Sequence, residues 1–204
     1  MPYPVPLLIR GINNLSDARY CAGMGADKLS FILDPALPGH LAPAVVKELA
    51  GWVAGVELIG EFDSLSAPEI NALAADCALD AVLLRTPRPA AELAEIAPPV
   101  LLEVAFDQLP TFPAADFSDS VAGVLLELPE AVAAYDAALA SDAVAILARQ
   151  LPLWLGPGLH PHRARQVLVA VRPAGLVFAS GHEIKPGLRD FDQLEAVFEA
   201  LEEE

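Results

Sequence analysis

The chain has 204 residues, enough for one domain with a sizeable core. It is 54% hydrophobic with a mean hydropathy of +0.44, yet charges or prolines interrupt every apolar run, so no stretch reads as a membrane span of ~18 residues. A formal net charge of -16, from 28 acidic and 12 basic residues, disfavours nucleic acid and anionic membranes, which reward clustered Lys and Arg.

The opening Met1-Pro2-Tyr3-Pro4-Val5-Pro6 lacks the basic n-region of a signal peptide, and a soluble cytoplasmic protein is expected. A first strand is predicted over Leu7–Ile12. The helix after it has Ser16 as expected cap and carries Ala18, Cys21, Ala22 and Met24 before Gly25. Lys28–Leu33 reads as the second strand, and Pro43 opens a helix through Val45, Val46 and Leu49. Gly55–Ile59 is the next strand, with a helix starting at Ser66 or Pro68. Ala81–Leu84 follows, then a helix from Pro89, then a strand over Val100–Ala105. Phe106–Ser120, with Pro110, Pro113 and Asp116, predicts a short helix at most. A strand over Val121–Leu128 leads to an Ala-rich helix from Pro129 to about Ala140, extended by Ser141–Arg149. Leu153–Leu155, a helix from Pro161 through Val171, and Gly175–Ala179 come next. Asp190 or Asp192 caps a last helix with Leu194, Val197, Phe198 and Leu201 at helical spacing.

Most of the strand runs are too continuously apolar to be half exposed, which suits a parallel sheet covered by helices. Eight strands alternating with helices over 204 residues predict a compact (β/α)8 barrel, a single domain over 1–204. An open doubly wound sheet is the alternative. No internal repeat or linker interrupts the chain. Cys21 and Cys77 give no framework for disulfides or zinc and read as packing residues, as do Trp52 and Trp154.

Arg10 is the anomaly. It stands in the first apolar run, where a guanidinium must be paired or point into a polar site, because an unpaired buried charge is expensive. Glu57, Glu103 and Glu127 interrupt other strand runs in the same way. If they point inward near the strand ends, they surround Arg10 in an internal charged network. Contact of Arg10 with an anionic ligand through its planar fork of donors is the competing reading.

Several segments, in order, resemble the phosphoribosylanthranilate isomerase family of tryptophan biosynthesis. The opening LLIRGINNLSDARYCAGMGADKLSFIL is similar to that family's K-I-C-G-I-T, D-A helix, G-A-D and second strand. The closing LVFASGHEIKPGLRDFDQLEAVFEAL is similar to its D-x-S-S-G-V-E, P-G-x-K-D and final helix, and LWLGPGLHPHRARQVL to its L-A-G-G-L-x-P-x-N-V. The resemblance implies a (β/α)8 barrel and a cofactor-free aldose-to-ketose isomerisation of a phosphorylated ribosylamine. It also implies a cysteine base after strand one, an aspartic acid after strand six, and backbone amides after strands seven and eight that hold phosphate.

Carried onto this chain, the base position falls on Arg10 and the acid position on Glu127. The family's S-P-R falls on Leu37-Pro38-Gly39, its Q-L-H-G on Leu83-Leu84-Arg85-Thr86, and its G-G-T-G on Pro129-Glu130-Ala131-Val132. Gly158, Ser180 and Gly181 match the phosphate-binding region. Glycines at strand–helix junctions also serve as plain turns. An arginine with a pKa above ~12 cannot take a proton from substrate near neutral pH. Glu127 keeps a carboxyl but moves it by roughly an angstrom, a displacement that can cost ~100-fold in rate.

The sequence therefore predicts an isomerase-like barrel with an eroded catalytic pattern, inactive or repurposed, that binds a small phosphorylated or carboxylated ligand without metal or cofactor. An active isomerase with relocated acid and base groups, His182 first, is one alternative. A structural partner that associates through apolar surface is another. His40, His160 and His162 read as surface loop residues, since no compact ligand spacing supports a His/carboxylate metal site.

Overall fold

The computed structural model describes residues 3–129, 136, 139–157, 159, 163–185 and 188–202, with the backbone alone at 182–185, 188, 189 and 193. Eight parallel strands pair in chain order: β1 (Leu7–Arg10), β2 (Lys28–Ile32), β3 (Glu57–Phe62), β4 (Ala81–Leu84), β5 (Val100–Ala105), β6 (Gly123–Glu127), β7 (Leu153–Leu155) and β8 (Gly175–Ala179). β8 returns to β1, with Arg10 opposite Ala179, and closes the barrel. The open-sheet alternative is thereby excluded.

Helices α1 (Leu15–Gly23), α2 (Pro43–Ala50), α3 (Ala67–Cys77), α4 (Ala90–Leu93), α5 (Asp142–Gln150), α6 (Ala164–Val171) and α7 (Asp192–Glu202) alternate with the strands. In the fifth unit two 3-10 helices, Phe106–Thr111 and Ala114–Phe117, stand where an α-helix would run. Pro110 and Pro113 lack the amide protons that a regular helix needs. A short antiparallel hairpin, β9 (His182–Lys185) and β10 (Leu188–Asp190), precedes α7. The Ala-rich helix expected from Pro129 falls largely outside the described residues. Ser141 caps α5 as a separate helix, its side chain accepting from the Ala143 amide at 3.2 Å.

The strands alternate faces, as period-two geometry requires. Leu7 and Ile9 join the large layer between strands and helices. Leu8 turns inward to a separate cluster with Ile59, Leu83, Leu101, Leu125 and Val177 that fills the barrel interior. This plug leaves polar residues only at the two ends. At the N-terminal end, Lys28 on β2 pairs with Glu57 on β3 and lies 5.6 Å over the Trp154 ring.

Two expectations about helix and strand limits need correction. Asn14, not Ser16, caps α1, because its side chain reaches the Asp17 amide at 2.9 Å while Ser16 already lies in the first turn. β3 runs to Phe62 rather than ending at Ile59. Gly60 sits inside it because a Cβ there would come within 2.5 Å of Leu79 and 2.7 Å of the Phe62 ring. Trp52, expected to be packed, is 62% exposed in the turn after α2, whereas Trp154 is buried.

Fully buried Asp34 ties the loop after β2 to the loop after β3. It accepts from the amides of Asp63 at 2.8 Å, Ser64 at 2.6 Å and Ala36 at 2.9 Å. Burial pushes its carboxyl pKa up, but these backbone donors outweigh that and hold it at about 2. Among the described residues no helix is long and apolar enough to cross a membrane.

Candidate functional site

Inward-facing positions at the C-terminal ends of the strands build the site. Alternation from Leu8 aims Arg10 into the mouth; from Ile59 it aims Glu61, and from Leu101 it aims Glu103. β4 delivers Arg85 just past its last residue, and β6 ends on Glu127. These five side chains line one cavity of about 550 Å³, with Gly11, Ala105, Gln108, Pro157, Ala179 and Ser180.

Arg10 is held by two carboxylates. Its Nε donates to Glu61 Oε1 at 3.2 Å and its Nη2 to Glu61 Oε2 at 2.7 Å. Its Nη1 donates to Glu103 Oε1 at 2.5 Å and its Nη2 to Glu103 Oε2 at 3.2 Å. Arg85 adds a second guanidinium to Glu61, donating to Oε2 from Nε at 3.1 Å and Nη2 at 2.7 Å. The Ser30 hydroxyl donates to Glu61 Oε1 at 2.5 Å. Glu61 is thus the hub of the network, and it has no solvent exposure. Burial drives its pKa up, but the charge and hydrogen bonds of Arg10, the Ser30 hydroxyl and the Arg85 charge hold it at about 2. Burial likewise works against the charged Arg10, and Glu61 and Glu103 reverse this by raising its pKa above the ordinary arginine value.

The network keeps buried charges compensated, which is the condition for tolerating them. It also fixes what the mouth can do. Arg10 has no basic lone pair and cannot accept a proton. The cavity's two guanidiniums and three carboxylates leave it formally one charge negative. Glu127 has no hydrogen bond or ion pair among the described residues, and neither does the Nη1 nitrogen of Arg85. Those two groups, with the side-chain amide of Gln108, are free polar handles of the mouth. Among the described residues, no group of three or more His, Cys, Asp or Glu side chains is placed to hold a metal.

Sequence reasoning placed Arg10, Glu103 and Glu127 together, and all three meet at this mouth. Glu57 is a correction. It shares the inward face of β3, but two pairs of residues lower it emerges at the opposite end of the barrel beside Lys28. Glu61 and Arg85 were not singled out as partners of Arg10. The signal for Glu61 was the spacing Glu57, Ile59, Glu61 on one face, hidden when the strand is ended at Ile59.

Ser180 lines the cavity, yet its groups stitch β8 to β1: its amide donates to the Arg10 carbonyl at 2.8 Å and its hydroxyl to the Gly11 carbonyl at 3.1 Å. Gly181 is set by packing, since a Cβ there would lie 2.7 Å from the Asp190 carbonyl and 2.8 Å from the Phe191 ring. Gly158, His160 and His162 lie outside the described residues, as does the side chain of His182. His40 is exposed on the loop after β2.

No protein-family model matches the chain. Among curated proteins it is 29% identical to the N-(5'-phosphoribosyl)anthranilate isomerase of Deinococcus radiodurans, over 97% of this chain and 96% of that protein. It is 28% identical to the enzyme of the same name from Geobacter metallireducens, over 91% and 93%. Among solved structures it resembles phosphoribosyl anthranilate isomerase from Thermotoga maritima, with a TM-score of 0.79, 24% identity, and coverage of 97% of this chain and 98% of that one. A phosphoribosyl anthranilate isomerase in complex with reduced 1-(o-carboxyphenylamino)-1-deoxyribulose 5-phosphate superposes with a TM-score of 0.78 at 24% identity, with the same coverage.

Proposed function

We propose that this chain, a divergent member of the phosphoribosylanthranilate isomerase family, no longer carries out the family's isomerisation and binds a small phosphorylated or carboxylated ligand in the mouth of its barrel. One observation carries the reading. Arg10, which the resemblance sets at the family's base position, is clamped by Glu61 and Glu103. A base must be free to take a proton near operating pH. This guanidinium is permanently protonated, and its donors are already directed at protein carboxylates.

Ligand binding draws on different groups. Arg85 offers its unspent Nη1 to an anion, in a cavity of a size that holds a small metabolite. The complex of a related barrel with a phosphorylated deoxyribulose compound supports an anionic ligand of this kind. Of Gly158, Ser180 and Gly181, which the resemblance assigns to phosphate, Ser180 lines this cavity with Glu127, and its hydroxyl would turn from the Gly11 carbonyl to donate to a phosphate.

The test is direct. Purified protein mixed with phosphoribosylanthranilate should show no turnover above the uncatalysed rate, while ribose 5-phosphate should bind by calorimetry. Turnover would overturn the inactive reading. The second reading, an active isomerase with relocated groups, is favoured by the unpartnered carboxylate of Glu127. It requires turnover that Glu127→Gln abolishes.

A further inference from the structure

The rim of the mouth carries unspent charge of both signs along one arc. Arg85 follows β4, Gln108 lies in the 3-10 helix after β5, and Glu127 ends β6, so Gln108 stands between the other two. All three line the same cavity of about 550 Å³. At one end of the arc, Arg85 spends Nε and Nη2 on Glu61 and keeps Nη1. At the other end, the wall around Glu127 offers its carboxylate nothing. Ala105 stands opposite it in the β5–β6 register and brings only a methyl group, as does Ala179. Pro157 has neither an amide proton nor a polar side chain. Arg10, the other cation of the mouth, is turned to Glu61 and Glu103.

The charge balance points the same way. The charges of Arg10 and Arg85 cancel those of Glu61 and Glu103 within the network, so Glu127 is the residual negative charge of the mouth. The chain as a whole carries a formal charge of -16. A ligand bearing only negative groups enters against both fields, and a ligand that also bears a cation does not. We infer that the ligand is a small zwitterion, whose acidic group meets Arg85 Nη1 and whose protonated amine meets the Glu127 carboxylate. Its chemistry is that of an amino acid or an aminoalkyl phosphate. This inference rests on the proposed ligand-binding function and adds the ammonium group to it. The ends of β4 and β6 lie roughly 10 Å apart, two inter-strand spacings. Both side chains line the space between them, so a short spacer joins the two charged groups. The Gln108 amide, donor and acceptor at once, is placed to meet that spacer. An ammonium suits Glu127 because a hydrogen bond between ionised partners is about twice as strong as a neutral one. A hydroxyl there would donate to the carboxylate and leave its charge uncancelled.

Phosphoethanolamine and ethylene glycol monophosphate share a phosphate and a spacer and differ only at the far end, an ammonium against a hydroxyl. They serve as the probes. By calorimetry, phosphoethanolamine should bind about fivefold or more tighter. Glu127→Gln should erase this preference by weakening phosphoethanolamine, and should keep the melting temperature, because its side chain holds no other part of the described fold. Glu57→Gln removes the same charge at the opposite end of the barrel and should preserve the preference, which separates a local contact from the overall field. The zwitterion is wrong if the wild-type preference falls short of fivefold, survives Glu127→Gln, or disappears in Glu57→Gln. In each of those cases binding of ribose 5-phosphate still upholds the mouth reading. If neither ribose 5-phosphate nor phosphoethanolamine binds, the mouth reading falls and this inference with it.

Discussion

Arg10 and Glu61 form a two-pronged ion pair across the barrel, at 2.7 and 3.2 Å, between the ends of β1 and β3. Glu61 also receives Arg85 and Ser30, so removing it exposes more charge than removing any other member. Glu61→Ala leaves Arg10 only Glu103 and leaves Arg85 without a carboxylate partner. The expected loss is about 3–5 kcal/mol, the range for breaking a buried pair from one side. Urea unfolding measures it; a loss below about 1 kcal/mol contradicts the hub role.

Acid sensitivity follows from the same residue. The folded-state pKa of Glu61 is depressed to about 2 from an ordinary value of 4.5. Its contribution is therefore complete above about pH 4.5 and is lost as pH falls toward 2, as a depressed carboxylate requires. Asp34 titrates in an overlapping window, from 3.8 down to about 2. The unfolding midpoint of the wild type should fall steeply between pH 4.5 and 2. Glu61→Gln should flatten that fall while leaving the Asp34 part in place. Equal slopes in the two proteins would remove Glu61 from the acid transition.

Placing at positions 10 and 127 the proton-transfer residues that the family resemblance implies tests the proposed inactive reading. Arg10→Cys combined with Glu127→Asp should gain no turnover of phosphoribosylanthranilate. Taking out Arg10 leaves Glu61, Glu103 and the carboxylate at position 127 facing one remaining guanidinium, Arg85. Such a mouth repels a phosphorylated substrate. Activity in the double variant would show that these two positions alone had silenced the enzyme.

The opposite end of the barrel should behave as structure only. Lys28 pairs with the half-exposed Glu57 and covers the Trp154 ring. Lys28→Ala should cost no more than about 1 kcal/mol, as expected of a partly exposed pair. Trp154→Ala, which empties the base of the plug, should cost about 3–5 kcal/mol. Neither residue lines the mouth, so Lys28→Ala should bind ribose 5-phosphate as the wild type does, by calorimetry.

The barrel was legible because its local signals agree. Continuous apolar runs, broken at regular intervals by Pro43, Ser66 and Pro89 at helix starts, admit few arrangements besides a parallel sheet covered by helices. The fifth unit was legible too, since Pro110 and Pro113 forbid a regular helix there. The charge of Arg10 and its position in a strand already required a partner.

Which partner was a different matter. Glu57, Glu61, Glu103 and Glu127 are chemically alike in the sequence, and each interrupts or ends an apolar run. Strand alternation sends all four inward, but height along the barrel axis depends on the register of each strand against its neighbours. β2–β3 pairing sets Glu57 beside Lys28 at one end and Glu61 at the other, within reach of Arg10. The order of residues alone dictates a barrel with a charged residue, Arg10, in its first apolar strand. That Glu61 neutralises Arg10 is settled by barrel closure and register, because these bring β1 and β3 within reach of each other and no local preference of the residues does so.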